Sequence, residues 1–120
     1  MGIPRFFKYV WYLTFNLEFN ERVYEICRKI PKGRVSTYKE IAEALGIKAY
    51  RAVGRALRDN PYAPEVPCYR VLNSRGELYG FQGKKTKTTL ENKKALLKEE
   101  GVRFKGNQVV NFKKVFYKLR

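Results

Sequence analysis

Four stretches of the chain place apolar residues at the spacing of one face of a helix. In the first stretch the spacing is i, i+3, i+4 and i+7, at Val23, Ile26, Cys27 and Ile30, which predicts an amphipathic helix. We expect Asn20 to be its N-cap and Pro31-Lys32-Gly33 to end it. Because Cys27 lies on the apolar face, we expect it to be a buried core residue.

The next two predicted helices follow one another closely. Thr37 and Glu40 have the spacing of a capping box, which predicts a second helix that ends at Gly46. A third helix, from about Lys48 to Asp59, separates basic from apolar residues. Its basic side contains Lys48, Arg51, Arg55 and Arg58, and its apolar side contains Ala49, Val53, Ala56 and Leu57. Two tightly joined helices, the second with a basic stripe, are typical of a helix-turn-helix.

Two small residues, Ala52 and Gly54, flank the basic stripe, and the third helix has no Asn or Gln that could read adenine edges. Small residues beside arginines favour close approach to a narrow groove, where an inserted side chain can unstack a base. The alternative is a cationic helix face that is merely solvated.

The remaining predicted elements are short. Residues 5–19 are aromatic and β-branched enough for one or two strands. Further on, the sequence predicts a strand from Val71 into a turn at Gly76, a helix from Leu90 to about Glu100 capped by Thr88 and stopped by Gly101, and a hairpin at Gly106-Asn107. The predicted fold class is α+β, mainly α, a winged helix-turn-helix-like DNA-binding domain with a short strand and hairpin wing. We expect this domain at residues 20–120, after a short aromatic segment at residues 1–19.

Composition agrees with one small domain whose partner is a polyanion. The chain has 120 residues, a net charge of +15 and no histidine. This charge favours nucleic acid over an anionic membrane, although a basic surface can also serve solubility alone. Two cysteines without a Cys-x-x-Cys motif indicate free thiols in a reducing compartment, and we expect neither a metal nor another cofactor. The N-terminal apolar run is interrupted by Lys8 and too short to cross a bilayer, so we expect a cytoplasmic protein. We also expect it to be a monomer.

Cys68 is the leading candidate for chemistry. It lies in Pro67-Cys68-Tyr69-Arg70-Val71, between a proline-stiffened loop and a short strand. A thiol reacts as its thiolate, and a neighbouring arginine favours that form. The alternative is a small buried hydrophobe, which is the fate of most free cysteines. In the glycine-punctuated loop from Gly76 to Gly83, Phe81 either stacks on a flat base or packs into the core.

These motifs, in this order, resemble the C-terminal domain of the O6-alkylguanine-DNA alkyltransferases, also called methylated-DNA–protein-cysteine methyltransferases. The resemblance runs from about Val23 to Phe104. Its motifs are Gly33-Arg34-Val35-Ser36-Thr37-Tyr38, Tyr50-Arg51-Ala52-Val53-Gly54, Asn60-Pro61, Pro67-Cys68-Tyr69-Arg70-Val71, Gly80-Phe81-Gln82-Gly83 and Leu96-Leu97-Lys98-Glu99-Glu100-Gly101. The fourth motif differs from the family's Pro-Cys-His-Arg-Val only at Tyr69.

The resemblance implies a self-sacrificing repair protein whose partner is double-stranded DNA containing O6-alkylguanine. The damaged base would be flipped through the minor groove, and Cys68 would take its alkyl group irreversibly without a cofactor. By this resemblance the remaining catalytic residues are Tyr69, Glu100 and Asn60, and the flipped base is bound by Tyr38, Leu57, Phe81, Gln82 and Gly83. Arg51 would fill the gap in the base stack, and the other DNA-binding residues would be Ala52, Gly54, Arg55, Arg58 and Lys48.

Tyr69 departs from the family, which has a histidine here that draws off the thiol proton through water and a glutamate matched by Glu100. A phenol, with a reference pKa of about 10, accepts a proton poorly compared with imidazole at about 6.5. Arg70, a helix N-terminus and a Tyr69–water–Glu100 path are the remaining routes by which Cys68 would ionise. A thiol left near its reference pKa of about 8.5 would still be a few per cent thiolate at pH 7, so losing the histidine would slow a single turnover by about one or two decades rather than abolish it.

Three functions remain open. The retained cysteine favours alkyl transfer. Tyr69 and the short N-terminal region favour an alkyltransferase-like lesion sensor, which binds O6-alkylguanine without transfer and recruits excision-repair proteins. A winged-helix regulator would instead bind DNA by sequence and be indifferent to alkylation.

Overall fold

The computed structural model describes residues 17–78 and 87–120, with side chains from residue 90 onward in the second range. Its helices in these ranges are α1 at residues 17–27, α2 at Tyr38–Ala44, α3 at Tyr50–Arg58, α4 at Lys87–Glu99 and α5 at Phe112–Val115, with a 3-10 turn at Cys68–Arg70. Helices dominate and the sheets are small, so the predicted α+β, mainly α class is confirmed.

The strands form two separate pairs. Strand β1 (Ser36–Thr37) lies parallel to β2 (Val71–Leu72), with Ser36 opposite Val71. Strands β3 (Phe104–Lys105) and β4 (Gln108–Val109) form the predicted antiparallel hairpin, and the loop between them is Gly106-Asn107. The parallel pair matters for the site because β2 directly follows the 3-10 turn that carries Cys68.

The predicted helix-turn-helix is present as α2 and α3. The Thr37 hydroxyl accepts a hydrogen bond of 3.0 Å from the Glu40 N–H, which caps α2. The helix ends at Ala44, two residues before Gly46, whose φ of +74° is one that glycine adopts without strain. Helix α3 begins two residues later than predicted, so Lys48 precedes it and Ala49 is its exposed N-cap rather than an apolar-face residue.

Two apolar clusters form the core, and the 3-10 turn lies between them. The first contains residues of α1, α2 and α3, among them Cys27, Val53 and Leu57, and it includes Cys68. The second contains Val35, Tyr69, Leu72, Leu78, Leu97, Val102 and Val109. Consecutive residues, Cys68 and Tyr69, therefore pack into different clusters. Cys27 has no exposed surface, which confirms it as a core residue.

Several predicted boundaries were wrong. Residues 17–20 are already helical, so Asn20 lies within α1 and cannot be its N-cap, and residues 17–19 are not strand. Thr88 lies inside α4, which begins by Lys87, because the helical run extends beyond the apolar positions that predicted it. The strands predicted for residues 5–16 and the loop motif Gly80-Phe81-Gln82-Gly83 lie outside the described residues.

The C-terminal segment adds an element that the sequence did not predict. It enters α5 through Asn111, whose φ of 55° is tolerated by asparagine. The ring of Phe112 then packs against Gly76, where a Cβ atom would come within 2.6 Å of the ring. The chain continues to Phe116, which pairs with Val35 beside β1.

Candidate active site

Cys68 is the first residue of the 3-10 turn and is 6% exposed. Its N–H donates a hydrogen bond of 2.8 Å to the Val66 carbonyl, which makes a tight bend before the turn. Pro67 precedes it and has no N–H to donate. The thiol therefore occupies a fixed position at the edge of the first core cluster, in contact with the layer formed by the helix-turn-helix.

The loop before Cys68 is held by Asn60. Its side-chain amide donates to the Val66 carbonyl at 2.8 Å, and its side-chain oxygen accepts from the Tyr62 N–H at 2.9 Å. Asn60 thus joins the two ends of the loop with one side chain. The family resemblance implies that Asn60 holds the loops of the site in place, and these hydrogen bonds are compatible with that role.

The same loop is tied to α1 by aromatic contacts. The Tyr62 hydroxyl donates to a carboxylate oxygen of Glu21 at 2.7 Å, and its ring meets Tyr24 edge to face with 5.6 Å between centroids. The Tyr24 hydroxyl donates to the Ala56 carbonyl at 2.7 Å and so reaches α3. Helix α1, the loop and α3 therefore form one connected support for the turn that carries Cys68.

Glu100, at the end of α4, is surrounded by hydrogen-bond donors. Arg70 approaches both carboxylate oxygens, with Nε at 2.9 Å from Oε1 and one terminal nitrogen at 2.6 Å from Oε2. The Tyr69 hydroxyl donates to Oε2 at 2.7 Å and the Gly33 N–H donates to Oε1 at 3.2 Å. Burial alone would raise the pKa of Glu100, but the hydrogen bonds from Arg70, Tyr69 and Gly33 lower it below its ordinary value.

These contacts give Tyr69 the role of a donor. Burial, together with its hydrogen bond to Glu100, raises the pKa of Tyr69 to about 12. A proton passed from the thiol to the phenol oxygen would have to move on to Glu100, whose basicity is reduced by Arg70. The Tyr69–water–Glu100 path expected from the sequence is therefore unfavourable.

Lys93 is the functional candidate that the sequence interpretation missed. It lies on α4 with no exposed surface, donates to the Val71 carbonyl, and holds its Nζ 5.9 Å from the centre of the Tyr38 ring. Burial lowers its pKa to about 8, while the charges of Cys68 and Cys27 act in the opposite direction. The sequence signal was present, since Lys93 falls between Leu90 and Leu97 at the helical spacing of core residues.

The outer face of α3 carries the expected arginines. Arg51, Arg55 and Arg58 are exposed, and Arg58 also pairs with Asp59 at 3.3 Å. Ala52 and Gly54 are half-buried between them, and a Cβ atom added to Gly54 would meet no atom within 4 Å. The packing of the described residues therefore does not require glycine at position 54.

The predicted base-binding residues are only partly described. Tyr38 is half-buried against the first core cluster, and Leu57 is 4% exposed within the cluster that contains Cys68. Phe81, Gln82 and Gly83 lie outside the described residues. The roles of Tyr38 and Leu57 toward a flipped base stay predictions, as do those of the loop.

Within residues 17–78 and 87–120, no group of three or more His, Cys, Asp or Glu side chains is suited to holding a metal ion. No helix in that part of the chain is both long and apolar enough to cross a membrane.

Comparison with known proteins agrees with the resemblance seen in the sequence. Residues 18–102 match the family described as 6-O-methylguanine DNA methyltransferase, DNA binding domain. A methylated-DNA–protein-cysteine methyltransferase of Methanosarcina acetivorans is 44% identical over 85 residues, which cover 70% of this chain and 51% of that protein. A DNA base-flipping protein of Vibrio parahaemolyticus is 37% identical over 86 residues, covering 71% of this chain and 81% of that protein.

Solved structures give the same picture. S. pombe Atl1, in complex with damaged DNA containing O6-carboxymethylguanine, has a TM-score of 0.72 and 34% identity and covers 84% of this chain and 95% of its own. Mycobacterium tuberculosis OGT in complex with DNA has a TM-score of 0.61 and 41% identity, covering 68% of this chain and 48% of its own. The chain spans about half the length of the curated methyltransferases it matches first. The chain belongs to the 6-O-methylguanine DNA methyltransferase family, through the DNA-binding domain that it matches at residues 18–102.

Proposed function

We propose that this protein repairs DNA by flipping O6-alkylguanine out of the duplex through the minor groove and transferring the alkyl group to Cys68. The observation that carries the proposal is a buried lysine behind the turn that carries the retained cysteine. Lys93 lies on α4, which packs against the 3-10 turn that begins at Cys68, and it donates to the carbonyl of Val71, three residues after Cys68. The outer face of the neighbouring helix-turn-helix is lined by arginines. A lesion inside a duplex cannot be reached without extrusion, and a mispaired base costs less to unstack.

In this mechanism the Cys68 sulfur attacks the alkyl carbon as the bond from that carbon to O6 breaks. Guanine leaves with the bonding electrons and is neutralised by a proton, and the sulfur becomes a thioether. Because a thioether does not release its alkyl group, each protein molecule acts once.

Lys93 replaces the missing histidine in this proposal. An amine whose pKa is about 8 is neutral in roughly a tenth of molecules at pH 7, so it can accept the thiol proton. Once protonated, its positive charge favours the thiolate form of a cysteine in the neighbouring turn.

A second candidate function is lesion sensing without transfer. The observation that favours it is the Glu100 network, which leaves Tyr69 as a donor to a carboxylate already bound by Arg70. The likeness to Atl1 and to a base-flipping protein is compatible with this alternative. In that case the protein would hold the lesion for excision-repair proteins.

The test is the intact mass of the protein after incubation with a duplex containing one O6-methylguanine. Transfer adds one methylene unit to the protein, located at Cys68 and absent in Cys68→Ser. Unchanged mass over pH 7 to 9, with tight lesion-selective binding, would establish sensing instead. Sequence-selective binding that ignores both the lesion and Cys68→Ser would establish a regulator.

The lesion-flipping step has its own test. Arg51→Ala should reduce the preference for damaged over undamaged duplex more than it reduces binding to either. Lys29→Ala, another exposed cation on a different element, serves as the control. Equal losses on damaged and undamaged DNA would contradict a role for Arg51 in the base stack.

A further inference from the structure

A groove of about 400 Å³ opens between the start of α2 and the C-terminal segment. Its lining residues include Lys39, Ser74, Lys113 and Lys118, together with Phe112 and Phe116. Part of this lining comes from residues after 102, beyond the match to the family domain. The groove is therefore built jointly by the family domain and the segment that follows it.

The C-terminal segment is held firmly in place along β1. The Val35 N–H donates to the Val115 carbonyl at 2.9 Å, and the Tyr117 N–H donates to the Val35 carbonyl at 2.7 Å. Arg34 adds hydrogen bonds to the carbonyls of Val115 at 3.0 Å and Phe116 at 2.7 Å. The backbone that carries Lys113 and Lys118 is thus ordered before any ligand binds.

The acidic residues of the groove are already neutralised. Arg120 pairs with Glu43 at 2.7 Å and with Glu40 at 3.4 Å, and Glu40 also accepts from the Leu119 N–H at 2.9 Å. Among the described residues no ion pair is found for the three exposed lysines of the groove, Lys39, Lys113 and Lys118. The groove consequently presents net positive charge together with the exposed hydroxyl-bearing residue Ser74.

We infer that this groove binds the phosphate backbone of the duplex beside the lesion, an inference that rests on the proposed function. Lys39 directly follows Tyr38 on α2, and the centre of the Tyr38 ring lies 5.9 Å from the Lys93 Nζ of the candidate active site. In a helix-turn-helix the first helix crosses the DNA backbone, and Lys39 lies in the first turn of that helix. The C-terminal lysines extend this contact along the duplex.

Phosphate contacts of this kind have a measurable signature. Each neutralised phosphate contributes about 0.9 to the slope of log affinity against log salt concentration, whatever the base sequence. Removing two lysines should therefore lower the slope by about two on damaged and undamaged duplexes alike. It should leave the ratio of the two affinities unchanged, because phosphate contacts carry no lesion information.

The experiment compares Lys113→Ala/Lys118→Ala with Lys98→Ala/Lys105→Ala, which removes the same charge from exposed lysines outside the groove. Binding is measured from 50 to 200 mM salt, a range over which such slopes are readily resolved. The groove variant should lose about two in slope and the control should lose less than half as much. Equal slopes for the two variants would overturn the inference.

A second measurement identifies the ligand. Duplex DNA should protect Lys113 and Lys118 from acetylation while Lys98 and Lys105 remain reactive. Protection by an acidic protein, with none by DNA, would also overturn the inference. Both measurements succeed or fail on undamaged DNA without any alkyl transfer, so they are separable from the mass test of the proposed function.

Discussion

Replacing Lys93 by methionine should make the protein more stable and a poorer methyltransferase. The side chain of Lys93 is completely buried, and its pKa falls from 10.5 to about 8. Since each pKa unit corresponds to about 1.4 kcal/mol, holding the ammonium in the core costs roughly 3 kcal/mol at neutral pH. Methionine fills similar space without the charge.

Part of that gain is offset. Lys93 donates a hydrogen bond to the Val71 carbonyl, and losing it costs about 1 kcal/mol. The net stabilisation of Lys93→Met at pH 7 is therefore on the order of 2 kcal/mol. The transfer rate should fall by about one or two decades, because Cys68 would lose the amine that we propose as the acceptor of its proton.

The stability difference between wild type and Lys93→Met depends on pH. The folded pKa of Lys93 is about 8, below the unfolded value, so the unfolded chain binds more protons between about pH 8 and 10.5. The wild-type protein therefore gains stability relative to Lys93→Met as pH rises through that window. Above about pH 10.5 the lysine is neutral in both states, and only the lost hydrogen bond separates the proteins.

Two assays decide the matter. Urea unfolding at pH 7 and pH 10.5 should show Lys93→Met more stable than wild type at the lower pH and slightly less stable at the higher. Intact mass against time on an O6-methylguanine duplex gives the transfer rate. Lys94→Met, which loses a partly exposed lysine bonded to the Gly106 carbonyl, is the matched control and should change neither quantity in this way. A transfer rate of Lys93→Met equal to that of the wild type, or a destabilisation of the variant that does not depend on pH, would refute the reasoning.

Three other substitutions test the rest of the site. Tyr69→Phe should lower the free energy of unfolding by about 1 kcal/mol because its hydrogen bond to Glu100 is lost. It should leave the transfer rate within about twofold of wild type, and a tenfold loss would show that the phenol takes part in proton transfer. Glu100→Gln should cost about 3 kcal/mol in urea unfolding because it leaves Arg70 mostly buried without its partner. The pKa of Glu100 is lowered in the folded protein. The contribution of its carboxylate to the free energy of unfolding of the wild type should therefore be complete above about pH 5 and be lost as pH falls through the folded pKa. Gly54→Ala should raise stability by about 0.5 to 1 kcal/mol through helix propensity while weakening duplex binding; unchanged binding would show that DNA does not approach this position.

The local elements of the fold were predictable because local patterns determine them. Helical spacing identified the buried face with Cys27, the capping residue Thr37 marked the start of α2, and the Gly106-Asn107 pair marked the hairpin. Asn20 misled because a good capping residue also occurs inside helices, and in α1 the helical run extends to at least residue 17.

The non-local features were not predictable in this way. Phe116 pairs with Val35 across some eighty residues of sequence, and no local pattern fixes which strand a terminal segment will join. Lys93 was overlooked because a lysine is normally counted as surface, and only its position between two core leucines marked it as buried. Whether Tyr69 accepts or donates a proton depended on where Arg70 directs its guanidinium, which the sequence does not specify.

The Glu100 cluster explains how the family's glutamate can be present without the family's histidine. Its donors come from the 3-10 turn, through Tyr69 and Arg70, and from the connection before β1, through Gly33. A carboxylate with four such donors joins these segments to the end of α4 and fixes the turn on which Cys68 lies. The same hydrogen bonds lower the pKa of Glu100, which makes its carboxylate a weaker base toward the thiol proton. The proposed transfer consequently requires a different basic group, and the amine that we propose for it is that of Lys93, which is buried on α4 where this helix packs against the 3-10 turn.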